Sequence, residues 1–114
     1  DEGVQVIKPE TADEVSRMLV NVFDGYNNGA TIVPNYSVAA KTGTAQIPAP
    51  DGGYYSDRNL HSFVGYFPAY DPQFIVFLYT YHPKGVRYSS QTLLNPFRDT
   101  AQYLINYYDV PPDR

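Results

Sequence analysis

Four consecutive residues, Lys41-Thr42-Gly43-Thr44, put an ammonium, two hydroxyls and a bare backbone position within one short stretch. On an extended strand, Lys41 and Gly43 face one way and Thr42 and Thr44 the other. Lysine is a compact cation that can pair with a neighbouring hydroxyl or polarise an acceptor. Glycine removes a side chain where a substrate backbone must come close. Two hydroxyls in register can hold a carboxylate, and an unpaired strand N–H can face a developing oxyanion. The same residues also fit an edge strand whose lysine discourages aggregation and whose glycine marks a bulge. A chain of this length meets a given tripeptide by chance roughly 2–3% of the time at ordinary composition. The surroundings therefore have to decide between the two readings.

The surrounding periodicities predict where this stretch lies. Tyr36, Val38 and Ala40 alternate with Ser37, Ala39 and Lys41, the pattern of a half-buried strand that runs into the tetrad. From Gln46 to Asn59 the chain turns to Pro, Gly, Asp and Tyr around Gly52-Gly53, which predicts a long surface loop. Leu60–Phe67 and Phe74–Tyr81 read as two further strands joined by Pro68-Ala69-Tyr70-Asp71-Pro72, an antiparallel hairpin. The stretch from Phe74 to Tyr79 is apolar without alternation, which predicts burial on both faces and helices covering both sides of the sheet. Upstream, Val4, Val6 and Ile7 suggest a strand edge. Thr11 and Glu14 suggest a capping box, followed by a helix with the stripe Val15, Met18, Leu19 and Val22. Gly25 and Asn27-Asn28-Gly29 should end that helix through left-handed geometry. Downstream, Leu94, Phe97, Ala101, Leu104 and Tyr108 share one face of a final helix. Ser89, Ser90 or Asn95 could cap it, and Pro111-Pro112 stops it. The order helix, strand, strand, strand, helix gives an α+β chain, an antiparallel sheet flanked by helices. Three strands are few for a sheet covered on both faces, so further strands and a helical layer are expected elsewhere.

Bulk properties narrow the function classes. The 114 residues allow one domain at most, with 43% hydrophobic and 18% charged residues, the range of folded chains. Twelve tyrosines suit half-buried positions and groove walls. The net charge of −4 has no basic stripe within it, which argues against nucleic acid as a partner. No cysteine and only two histidines, His61 and His82, leave no basis for a thiolate or structural metal site, and no cofactor is implied. No apolar run is long enough to span a bilayer. The opening Asp1-Glu2-Gly3-Val4 reads as a cut into a longer chain.

The extended stretch Val38-Ala39-Ala40-Lys41-Thr42-Gly43-Thr44-Ala45-Gln46 resembles the Lys-Thr-Gly box of penicillin-interacting serine transferases. The resemblance is nearest to class B penicillin-binding proteins, the peptidoglycan D,D-transpeptidases. It continues through Thr11–Phe23, Ser62–Pro68 with Asp71-Pro72, Asn95-Pro96-Phe97 and Val110-Pro111-Pro112, and so covers nearly the whole chain. Ala40 stands where the family commonly has glycine. The resemblance implies that residues 1–114 are the C-terminal portion of a transpeptidase domain with the penicillin-binding and serine β-lactamase-like fold.

On that resemblance, Lys41 supports the hydroxyl network of the active site and assists proton movement. Thr42 and Thr44 hold the terminal carboxylate of a D-alanyl-D-alanine stem peptide or of a β-lactam. Gly43 keeps the strand open to the acyl chain, and the backbone N–H of Thr44 is half of an oxyanion hole. The family's nucleophile motif, Ser-x-x-Lys, is not among these residues: none of Ser16, Ser37, Ser56, Ser62, Ser89 and Ser90 has lysine three positions on. Its Ser-x-Asn motif is also missing. Covalent catalysis needs a nucleophile with a base in reach. An upstream part of the same protein is therefore the expected partner, and this chain alone is expected to be inactive. The resemblance also implies a bacterial, extracytoplasmic location with an anchor elsewhere, and contacts with cell-wall assembly proteins. Three alternatives remain at this point: a non-catalytic scaffold module of a cell-wall complex, a related D,D-carboxypeptidase or β-lactamase, and an unrelated acidic peptide-binding domain. His61 and His82 read as structural or surface residues, with nothing to orient either as a base. Asp51 and Asp57 do not form a convincing carboxylate pair. Tyr54-Tyr55 with Arg58 could rim a groove or simply fill a solvated loop.

Overall fold

A computed structural model describes residues 2–26 and 32–114. Five elements follow one another: α1 (Pro9–Asp24), β1 (Ala39–Pro48), β2 (Tyr54–Phe67), β3 (Phe74–Tyr81) and α2 (Ser89–Tyr107). The strands form one antiparallel sheet in the order β1-β2-β3. This is the α+β arrangement expected, an antiparallel sheet flanked by helices.

Strand register sorts the side chains into two faces. Lys41 pairs with Val64, which pairs in turn with Phe77; Thr42 pairs with Phe63, which pairs with Leu78; and Thr44 pairs with His61, which pairs with Thr80. Ala40, Thr42, Thr44, His61, Phe63, Gly65 and Phe67 therefore share one face, and α2 packs on it. Phe97 of α2 is fully buried there, its ring centroid 4.7 Å from Phe63, 6.0 Å from Phe23 and 6.2 Å from Phe67. The ring fits because Gly65 has no side chain: a Cβ there would lie 2.4 Å from the Phe97 ring. The opposite face carries Lys41, Gly43, Ser62, Val64, Ile75, Phe77, Tyr79 and Tyr81. Helix α1 crosses the β1 end of the sheet. Phe23 reaches the α2 side, while Val20 packs with Ala39 and Ala69, and Ser16 hydrogen-bonds Tyr66 at 2.8 Å. Beyond that corner the second face is bare among the described residues.

Several expectations are corrected. Residues 4–7 form no strand, and Val4 and Val6 are exposed. Helix α1 starts at Pro9, not at a Thr11–Glu14 capping box. Proline has no N–H to leave unsatisfied and a φ preset for the first turn, so it wins the start. The buried stripe is Ser16, Val20 and Phe23, rotated from the expected one, and Val15 and Met18 face outward. Gly25 ends α1 in a right-handed conformation (φ −79°). Asn27-Asn28-Gly29 lies outside the described residues. The expected loop 46–59 is instead the outer half of a long hairpin. Its tip is only residues 49–53, with Ala49 N–H donating to Gly53 O at 3.0 Å and Gly52 and Gly53 at positive φ. β-Forming Tyr54 and Tyr55 and buried Ile47 carry the pairing outward, past a register shift between Gln46 and Pro48.

Strand β3 is not buried on both faces. Its exposure alternates, with Ile75 71%, Phe77 62%, Tyr79 66% and Tyr81 66% exposed. Helix α2 starts at Ser89, about two turns earlier than an Asn95 cap would allow, and carries Pro96 within it. Gln91 accepts from the Tyr88 N–H at 3.1 Å and so fixes the start that neither serine caps. Leu94, Phe97 and Ala101 face the core as expected. Ile105 completes the stripe, and Tyr108 lies outside it, 58% exposed.

The C-terminal residues tie down the approach to β1. Tyr36 donates to Val110 O at 2.6 Å, and Ser37 donates its N–H to Asp113 at 2.6 Å and its hydroxyl to the same carboxylate. Arg114 makes two hydrogen bonds of 2.8 Å to Asp24, which hold its guanidinium above its ordinary pKa. Strand β1 thus enters the sheet from a fixed point.

Candidate functional site

Strand β1 has a neighbour on one side only among the described residues, so its outer edge turns alternate N–H and C=O groups away from the sheet. The Lys41–Thr44 tetrad occupies the middle of that edge strand, held by continuous pairing from Ala39 to Gln46. Strand packing just before it is tight: Val38, Ala39 and Ala40 are all buried. Exposure begins at Lys41. The local sequence accounts for this change, since three small or branched apolar residues give way to an ammonium and hydroxyls.

Lys41 is exposed on the bare face, and its Nζ donates to the carbonyl of Thr42 at 3.0 Å. Among the described residues no carboxylate lies within ion-pair distance of it. Gly43 stands two positions along on the same face, against Ser62. A Cβ at Gly43 would come within 2.3 Å of the Ser62 hydroxyl, so the strand is open there only because the position is glycine.

Thr42 and Thr44 turn to the helical face. Thr42 is half-buried and accepts a hydrogen bond from Tyr26 at 3.3 Å. Thr44 is exposed but meets the start of α2: its hydroxyl lies 3.4 Å from the Ser89 hydroxyl and accepts from the Ser89 N–H at 3.4 Å. That N–H is one of the helix-terminal donors with no partner inside the helix. Beside Thr44 opens a cleft of about 840 Å³ between the outer hairpin and the segment 82–88, walled by Gln46, Asn59, Lys84, Arg87 and Tyr88. The tetrad thus divides its groups, with a cation and an open backbone on one face and two hydroxyls at the junction with the helices.

The other residues singled out in the sequence fall elsewhere. His61 is fully buried, with its ring nitrogens 2.9 Å from the Thr92 hydroxyl and 3.0 Å from Arg87 O. His82 lies at the end of β3 with φ +51°. Arg58 stacks on the Tyr55 ring at 4.2 Å and does not line the cleft. Among the described residues no three His, Asp or Glu side chains come together as a metal site. Sequence reasoning missed Tyr26, Ser89 and Thr92 as neighbours of the tetrad. Ser89 carried a signal, as a possible helix cap. Tyr26 carried none, because its reach depends on where α1 crosses the sheet.

Comparison with known proteins adds the family context. Residues 1–101 match the family model described as penicillin binding protein transpeptidase domain. The chain is 30% identical to a peptidoglycan D,D-transpeptidase FtsI homolog of Mesostigma viride over 95% of its own length, and spans 18% of that protein. Among solved structures, penicillin binding protein 3 of Mycobacterium tuberculosis, complexed with ampicillin, aligns with TM-score 0.80 and 29% identity. The alignment covers 98% of this chain and 27% of that one. The transpeptidase domain of Burkholderia pseudomallei penicillin-binding protein 3 aligns with TM-score 0.79 and 30% identity, over 98% of this chain and 34% of the other.

Proposed function

Because this chain belongs to the penicillin-binding protein transpeptidase domain family, we propose that it forms the substrate-holding wall of a peptidoglycan D,D-transpeptidase whose attacking serine lies in another part of the same protein. The donor is a stem peptide ending in D-alanyl-D-alanine. The serine oxygen attacks the carbonyl between the two D-alanines, the terminal D-alanine leaves with a proton, and an amine of a neighbouring stem then displaces the serine from the acyl group. A β-lactam enters the same acylation step by ring opening. Binding of a β-lactam by the Mycobacterium tuberculosis relative, which is complexed with ampicillin, supports that part of the reading.

In this reading Lys41 faces the serine and moves or stabilises its proton. Gly43 admits the acyl chain to the strand edge, and Thr42 and Thr44 bind the terminal carboxylate. The backbone N–H of Thr44 receives the developing oxyanion. A donor of this kind is worth about 2.7–4 kcal/mol of transition-state stabilisation. The reaction takes place at the bacterial cell envelope, where its substrate is. No helix among the described residues is long and apolar enough to cross a membrane.

The observation that carries the reading is the position of Lys41. Among the described residues the ammonium has no carboxylate partner, and it shares its uncovered face with Ile75, Phe77 and Tyr79. Exposed apolar clusters of this kind mark surfaces that another structure covers. The serine-bearing part is the cover the reaction needs, and seating it there brings a hydroxyl toward Lys41.

Labelled penicillin tests the proposal. The complete protein should take up label covalently, and this chain alone should take up none. Labelling of one of this chain's own serines would overturn the assignment of the nucleophile. No label on the complete protein would overturn the enzymatic reading and favour a scaffold role.

A further inference from the structure

Behind Thr44 lies a buried polar chain for which the proposed chemistry has so far found no use. His61 is the cross-strand partner of Thr44 and is fully buried. Its Nε2 is 3.0 Å from Arg87 O, a pure acceptor, so Nε2 carries a proton and donates. Its Nδ1 is 2.9 Å from the Thr92 hydroxyl, which in turn lies 3.2 Å from Ser89 O. Ser89 is 1% exposed and reaches Thr44 through both its hydroxyl and its N–H, each at 3.4 Å.

An imidazole and a hydroxyl removed from water are costly unless they are hydrogen-bonded. A strand–helix junction could be filled with apolar residues at no such cost. Here polar groups fill it and every one has a partner, which gives a unique geometry rather than a merely cohesive one. The chain of contacts ends, through Ser89, on the Thr44 side chain, whose backbone is the proposed oxyanion donor.

We propose that His61, Thr92 and Ser89 are positioning residues that clamp the first turn of α2 and segment 82–88 onto β2 and, through Ser89, onto β1, and so fix the peptide N–H of Thr44 for acylation. None of the three touches substrate. His61 holds Arg87 and Thr92, and so ties segment 82–88 to the first turn of α2; Ser89 in that turn holds Thr44. The inference rests on the transpeptidase reading above. It adds that the rate of acylation, more than the capture of the carboxylate, depends on groups hidden from the cleft. Small displacements of a donor matter because the oxyanion interaction depends steeply on geometry.

The test uses the complete protein and a labelled penicillin, separating the acylation rate constant from the dissociation constant of the complex that precedes it. Thr92→Val keeps the shape and removes the hydroxyl; Thr92→Ser keeps the hydroxyl and removes the methyl. The expected result is an acylation rate constant at least tenfold lower for Thr92→Val, a dissociation constant within about twofold of the parent, and recovery to within about threefold for Thr92→Ser. Ser89→Ala, a single-oxygen deletion, should lower the same rate constant while leaving the melting temperature near the parent's, and it serves if Thr92→Val fails to fold. Unchanged acylation in Thr92→Val and Ser89→Ala overturns the inference. So does a loss confined to the dissociation constant, or a Thr92→Ser protein no better than Thr92→Val. Absence of labelling in the parent protein would instead overturn the transpeptidase reading, and this inference with it.

Discussion

The two faces of one three-stranded sheet differ in almost every respect. On the face under α2, Phe63, Phe67 and Phe97 are fully buried, and even the imidazole of His61 has a partner for each nitrogen. On the other, Ile75, Phe77, Tyr79 and Tyr81 stand in solvent beside Lys41, which has no ion-pair partner among the described residues. The strands that build both faces are the same, so β-propensity and register cannot account for the contrast. It teaches that one face is finished by this chain, while the other has the composition of a core and the exposure of a surface. Chemistry and cohesion are divided accordingly: the finished face holds the strand in place, and the unfinished face presents Lys41.

The largest expected effect breaks the comparison at its functional end. Lys41→Ala in the complete protein should slow acylation by labelled penicillin by about 10²–10⁴, the usual contribution of a positioned proton-transfer group. Its melting temperature should stay near the parent's, since Lys41 makes no ion pair among the described residues. On the finished face, Phe97→Ala removes the ring shared by Phe23, Phe63 and Phe67 and should cost about 3–5 kcal/mol in denaturant unfolding. Gly65→Ala drives a methyl group into that ring and should cost about 1–3 kcal/mol by the same measurement. Phe77→Thr sharpens the comparison. In this chain alone it should alter stability by no more than about 0.5 kcal/mol, as for a solvated surface site. In the complete protein, where the face is covered, the loss should rise to about 1.5–3 kcal/mol. Equal small effects in both would mean that the face stays bare.

The sequence made the strand around Lys41, the hairpin from Leu60 to Tyr81 and the apolar face of α2 legible, because each is written in local periodicity. The family of the tetrad was legible too, through the extended run from Val38 to Gln46. What escaped depends on contacts between distant segments. Tyr54 to Asn59 looked like loop filler, and only pairing with β1 makes it a strand. The apolar run of β3 suggested burial on both sides, with part of the cover expected outside these residues; within them its exposure alternates. The stripe of α1 was misplaced by one residue in register, because Ser16 could be recognised as buried only with Tyr66 to receive it. The Thr44–Ser89 contact joins residues 45 apart in sequence, and no spacing rule connects them.

The most direct measurement of the central claim is a crystal structure of the complete protein acylated by a penicillin. It should place the Lys41 ammonium within about 3 Å of the oxygen of the acylated serine, at hydrogen-bond distance, with Phe77 and Tyr79 buried under the segment that carries that serine. An acylated protein whose Lys41 projects into bulk water, with the Ile75–Tyr81 face still exposed, would contradict it.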